Sequence, residues 1–175
     1  TDITAQSQAE QVHLQDEDWL KLAIESGNIG TWDLAPATGK LRWSKQCNAM
    51  FGLTWDAEID YTAFLKLLHP DERKRTDAAV QKSFDLNGTG EYSSDYRVIW
   101  PNGEIRWIAA TGRTFFRNTN GSRKAVRMVG TVLDVTELRK TDASVNQTEK
   151  LAAAERLAAS IAHEINNPLE AITNL

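Results

Sequence analysis

EYSSDYRVIWPNGEIRWIAATGRTFFR, Glu91 to Arg117, repeats with a period of two, and that period decides the fold class. Tyr92, Ser94, Tyr96, Val98 and Trp100 fall on one face of its first half, as alternate side chains of a strand do. Pro101-Asn102-Gly103-Glu104 is a tight-turn signal, so the second half returns as the other arm of a β-hairpin. A further Asn-Gly, Asn120-Gly121, precedes RKAVRMVGTVLDV, Arg123 to Val135, which reads as a third long strand.

Upstream, GTWDLAPATGKLRWS, Gly30 to Ser44, reads as two short strands about a Pro/Gly turn, with Trp32 and Leu34 alternating against polar neighbours. Ser44 is placed to cap a short helix through Phe51. YTAFLKLLHP and DERKRTDAAVQKSFDL follow as a helical pair broken at Pro70, with Asp71 expected as the cap of the second helix. DWLKLAIESG, Asp18 to Gly27, places Trp19, Leu20, Ala23 and Ile24 at helical spacing, and residues 1–17 are a polar, Gln-rich linker, helical or loose. Two short strands, then helices, then three long strands predict an α+β domain: a five-stranded antiparallel sheet with helices gathered on one face.

The chain has 175 residues, 41% of them hydrophobic and 25% charged, which suits one domain plus an appendage. No apolar run approaches the roughly 18 residues of a membrane span, and the N-terminal residues lack the form of a secretory signal, so the cytoplasm is the expected compartment. The single cysteine, Cys47, excludes an internal disulfide. A net charge of −4 argues against nucleic acid as the main partner, and Glu72 to Arg75, ERKR, reads as a solvated helix face. The six tryptophans, Trp19, Trp32, Trp43, Trp55, Trp100 and Trp107, are expected in the core.

Taken together, GTWDLAPATGKLRWS, LHPDER, the YRVIWPNGEIRWI hairpin and the GTVLDVTE ending resemble a PAS domain, assigned to residues 18–137. The resemblance implies a sensor, and it makes Asp134-Val135-Thr136 the signal junction between last strand and outgoing helix.

From Glu137 the strand pattern ends and good helix formers dominate. From Leu151 the positions 151, 154, 158, 161, 165, 172 and 175 advance by threes and fours, a seam for a partner helix; parallel homodimerisation through residues 138–175 is expected. SIAHEINNPLEAI, Ser160 to Ile172, begins like the zinc-protease helix H-E-x-x-H, but the place of its second histidine is taken by Asn167, a poor zinc ligand, and His13 and His69 lie in separate elements. No metal site is expected. At about 100° per residue, His163 lies some 200° from the seam and is expected to face solvent.

AASIAHEINNPLEAITNL closely resembles the phosphoacceptor helix of sensor histidine kinases. That resemblance implies that His163 attacks the γ-phosphorus of ATP and that Glu164 orients the ring and takes its proton. It also implies that Asn167 positions the phosphoryl group and serves in dephosphorylation, while Pro168 kinks the helix beside His163. ATP and Mg would be used by the parent kinase, whose catalytic ATP-binding domain is not in this sequence, and a response-regulator receiver domain would accept the phosphoryl group. Residues 138–175 are then the signalling helix and the first, truncated helix of the phosphoacceptor dimerisation domain.

No cofactor is expected in the sensor. His69 reads as a loop and helix-start residue rather than a haem ligand, and Cys47 lacks the Asn-Cys-Arg-Phe surroundings of light-sensing relatives and reads as a small buried residue. The competing reading of the whole chain is a non-enzymatic PAS interaction and dimerisation module.

Overall fold

In the computed structural model, which describes the backbone of residues 2–173 and the side chains of residues 3–160, the Glu91–Arg117 hairpin forms as expected. Strands β3 (Glu91–Ile99) and β4 (Ile105–Thr119) pair antiparallel, with Tyr96 opposite Ile108 and Ser94 opposite Ala110. Their turn is closed by two 2.8 Å hydrogen bonds, from the Trp100 N–H to the Glu104 carbonyl and from the Gly103 N–H to the Trp100 carbonyl. Strand β5 (Ser122–Asp134) returns through Asn120-Gly121, whose φ angles of +50° and +74° fit the two-residue turn that matches strand twist. With β1 (Gly30–Ala35) and β2 (Lys40–Trp43) the sheet has five strands in the order β2-β1-β5-β4-β3, all antiparallel.

Three helices fill the interval between β2 and β3. Ser44 caps α2 (Lys45–Met50) by accepting the Cys47 N–H at 3.2 Å, and Asp60 caps α3 (Tyr61–Leu67) by accepting the Ala63 N–H at 2.7 Å. In α4 (Pro70–Ser83) the cap is His69, whose Nδ1 accepts the Asp71 N–H at 3.4 Å, and not Asp71. Proline tolerates the first helical position because its missing N–H has no partner there, which puts the cap at His69, two residues upstream of Asp71.

These helices lay Cys47, Phe51, Phe64, Leu68 and Val80 against the inward face of the sheet, where Leu34, Tyr96, Val98, Ile108, Met128 and Val132 wait. Phe64 is the hub, with ring centroids of Trp43, Phe51, Tyr61 and Tyr96 at 6.2, 6.1, 5.9 and 5.8 Å. Each such side chain withdrawn from water contributes about 1.5–3 kcal/mol, which makes this one core the main support of the fold.

The N-terminal segment takes the helical one of its two expected forms, and α1 (Asp2–Ser26) runs through residues 17 and 18 without a break. The expected place of the tryptophans is corrected. Trp19 is 73% exposed on α1, Trp55 is 68% exposed in the loop after α2, and the half-buried Trp107 lies against Arg97 rather than in the core cluster, so three of the six tryptophans lie outside the core. Helical spacing places residues on a face but does not supply the surface that covers the face.

Glu72 is also not a solvated residue of a charged run. It is 7% exposed and accepts hydrogen bonds from Arg75 at 2.7 Å and from Arg97, on β3, at 2.9 Å. The hydrogen bond from Arg75 holds its carboxyl below the ordinary value of 4.5, against the opposing effect of burial, and Arg97 adds to the depression. A depressed folded-state value means that the ionised carboxylate stabilises the fold above the unfolded value and loses that contribution as pH falls through the folded one. Glu72→Gln should therefore lower stability by about 2 kcal/mol at neutral pH, the scale of hydrogen bonds to a charged group. Urea titrations should show the gap to wild type closing as pH falls below the ordinary carboxyl value and through the depressed one of the folded state, where both side chains are neutral; a gap independent of pH would contradict the ion-pair account.

After Val135 the chain enters α5 (Thr136–Thr173), and the molecule divides into two units at the Val135–Thr136 bond.

Candidate functional site

The inward face of the sheet leaves a cavity of about 30 Å³ among Trp32, Trp43, Phe51, Phe64, Tyr92 and Tyr96. That is room for one or two waters, about a tenth of the smallest ordinary ligand pocket. The residues present do not fit a flavin or a haem, whose ring systems would have to displace aromatic side chains. Cys47 is fully buried on α2, and desolvation pushes its thiol well above the ordinary value, so it is a poor nucleophile. His69 donates nothing to the cavity and serves as the α4 cap. Burial also raises the phenol of Tyr92, to about 12.

The second element is the end of β5. Asp134 pairs with Ile108 across β4, and the Val135 N–H donates to the Trp107 carbonyl at 2.9 Å. A carboxylate oxygen of Asp134 lies 3.6 Å from Nη1 of Arg106, while Nη2 of the same guanidinium lies 2.7 Å from Glu104. The guanidinium stacks 4.7 Å from the Trp100 ring centre, and the Trp100 indole N–H donates to the Met50 carbonyl at 2.9 Å, at the end of α2. A continuous set of contacts thus joins the helix that walls the cavity to the last residue of the last strand. Thr136, the first residue of α5, is buried.

The sequence pointed to Asp134 and Thr136 but not to Arg106, Glu104 or Trp100 as their neighbours. A signal was present. Arg106 has the same parity as Ile108 and Ala110, which are buried in the core, and a cation at an inward position of a strand demands a partner.

The backbone of α5 runs through positions 163, 164, 167 and 168 as one helix. The side chains of His163, Glu164, Asn167 and Pro168 lie outside the described residues, as does the lower part of the seam. Of the seam's upper part Leu151 is 59% exposed, and Leu157, off the seam, is exposed as well.

A family model described as the PAS fold matches residues 40–132, more than half of the chain. The chain belongs to the PAS family. The chain is 28% identical over 159 residues to the blue-light-activated histidine kinase of Brucella ovis, covering 91% of this chain and 29% of that protein. The sensor protein FixL of Bradyrhizobium diazoefficiens is 28% identical over 129 residues, 74% of this chain and 25% of that protein. The chain therefore spans less than a third of the length of these curated relatives. Among solved structures, the sensory box histidine kinase/response regulator of Burkholderia thailandensis superimposes with a TM-score of 0.61 at 27% identity, over 75% of this chain and 95% of that one. The PAS domain is thus similar to the sensor regions of histidine kinases, and among the described residues no helix is long and apolar enough to cross a membrane.

Proposed function

We propose that the chain is the sensor region and phosphoacceptor helix of a two-component histidine kinase of the cytoplasm, in which the PAS domain controls ATP-dependent phosphorylation of His163. The observation that carries this reading is continuity. Helix α5 begins two residues after Asp134 and reaches the His-Glu-x-x-Asn-Pro-Leu sequence as one helix, so that position 163 stands about 40 Å along the axis from position 136.

In this reading Arg106 and Asp134 form the signal junction with Thr136, and a shift of Trp100 at the end of α2 is passed to the start of α5 through the guanidinium. The small aromatic cavity makes the input a rearrangement of the core or a very small ligand, rather than a flavin or haem. His163 accepts the γ-phosphoryl group from ATP, with Mg held in the catalytic domain, and passes it to a receiver-domain aspartate. Glu164 takes the ring proton and Asn167 positions the phosphoryl group.

Two chains are required in this account, because a lone α5 exposes an apolar seam. Light scattering should give a dimer at micromolar concentration, and removal of residues 138–175 should return a monomeric PAS domain; a monomer at high micromolar concentration would count against the seam.

The competing reading, a PAS dimerisation module without phosphoryl chemistry, predicts the same dimer. The two part when the chain is joined to a histidine-kinase catalytic half and incubated with γ-labelled ATP. Acid-labile, base-stable label on the chain supports the proposal, and an intact dimer that takes up no label leaves the dimerisation module.

A further inference from the structure

Residues 105–133 hold six of the 20 basic residues of the chain and none of its 24 acidic ones, leaving fourteen cations against 24 acids elsewhere. The whole-chain charge of −4 averages over this segregation. The structure concentrates it further. β3 pairs with β4 only as far as Arg113, and β1 with β5 only as far as Met128, so from Phe115 to Arg127 the two strands pair only with each other and form a ribbon at the far end of β5 from Asp134.

The pairing register shifts between Phe115, opposite Arg127, and Phe116, opposite Ala125, which leaves Val126 as an extra residue. Without the bulge, Lys124 would face the core side; with it, Lys124 stands opposite Arg117 on the outward face. Two like charges directly across a strand pair, about 5 Å apart at their β-carbons, are destabilising. Among the described residues neither side chain has an ionic or hydrogen-bonding partner, and both are exposed. Beside them on the same face are Arg127, which shares the Asp33 carboxylate with Arg42, Arg113, 3.3 Å from Glu91, and the half-exposed ring of Phe115. Five cations face two carboxylates, around one uncovered aromatic ring.

We infer that the outward face of this ribbon docks an acidic segment of a partner protein. Carboxylates between Arg117 and Lys124 would relieve their repulsion through charge-assisted hydrogen bonds, and Phe115 would bury apolar surface at the centre. A nucleic acid fits less well. Arg113 and Arg117 span only about 13 Å of strand, too short to neutralise many phosphates, and the remaining surface of the chain is strongly acidic. A bilayer fits less well too, because the ribbon tip, Asn118 to Ser122, offers no apolar side chain to insert.

The test uses the whole chain and three fluorescent probes: a glutamate-rich peptide carrying one phenylalanine, a single-stranded oligonucleotide, and phosphatidylserine vesicles. The peptide should bind best, with an affinity that weakens as salt is raised. Arg117→Glu with Lys124→Glu should weaken it at least tenfold, and Phe115→Ser severalfold, while the melting temperature of each variant stays close to wild type because all three side chains are exposed. Tighter binding of the oligonucleotide or of vesicles, peptide binding indifferent to the charge reversal, or no binding of any probe would overturn the inference.

Discussion

Gly130→Ala should unfold much of the PAS domain, with a loss of more than about 3 kcal/mol and a fall in melting temperature of about 10 °C or more. Gly130 on β5 stands directly opposite Gly112 on β4, and Trp32 on β1 is its other cross-strand partner. The indole of Trp32 lies over the glycine pair and meets Tyr92 edge-on, with centroids 5.9 Å apart. A β-carbon on Gly130 would run into the carbonyl oxygen of Thr111 and the Trp32 ring, and one on Gly112 would stand 2.6 Å from the same ring. The Thr111 carbonyl belongs to the middle of the sheet and cannot swing aside as a side chain can. Thermal denaturation followed by circular dichroism decides the matter. Trimming the ring with Trp32→Leu in the Gly130→Ala background should recover only part of the loss; a single variant that melts within two or three degrees of wild type would show that the sheet yields easily and the hollow is not needed.

Glu164→Gln, in a kinase completed with its catalytic half, should slow autophosphorylation about a hundredfold or more, the usual scale for loss of a general base. The substitution keeps length and helix propensity, so the dimer should persist. Asn167 offers a neutral amide and cannot accept the proton in the same way. Asn167→Ala should leave the pH profile of autophosphorylation in place and disturb phosphoryl transfer to, or removal from, the receiver aspartate. If Glu164→Gln left rate and profile unchanged in an intact dimer, the acid would be no more than a charged neighbour of His163.

Much of the architecture was legible because it depends on local period and local chemistry. The alternation from Tyr92 to Trp100, the two Asn-Gly turns and the Ser44 cap each act over a few residues and recur in the structure where the sequence puts them. What was not legible depends on partners distant in sequence. Glu72 looks like one charge in ERKR until Arg97 arrives from a strand 25 residues later. Arg106 needs Asp134, and Gly112 needs both Gly130 and Trp32, before either has a meaning. Trp19 and Trp55 show the reverse error, since an aromatic residue announces burial only when some other surface is there to cover it. The bulge at Val126 was invisible for the same reason: it exists only in the pairing of two strands.

For the phosphoacceptor the sequence motif carries the argument, and one comparison tests it most directly. The completed kinase and its His163→Gln variant are incubated with γ-labelled ATP, and the label is followed together with dimer content and the melting of the PAS domain. The account predicts that label falls to background in the variant while dimer and melting temperature are retained; label persisting on a folded, dimeric His163→Gln protein would contradict it.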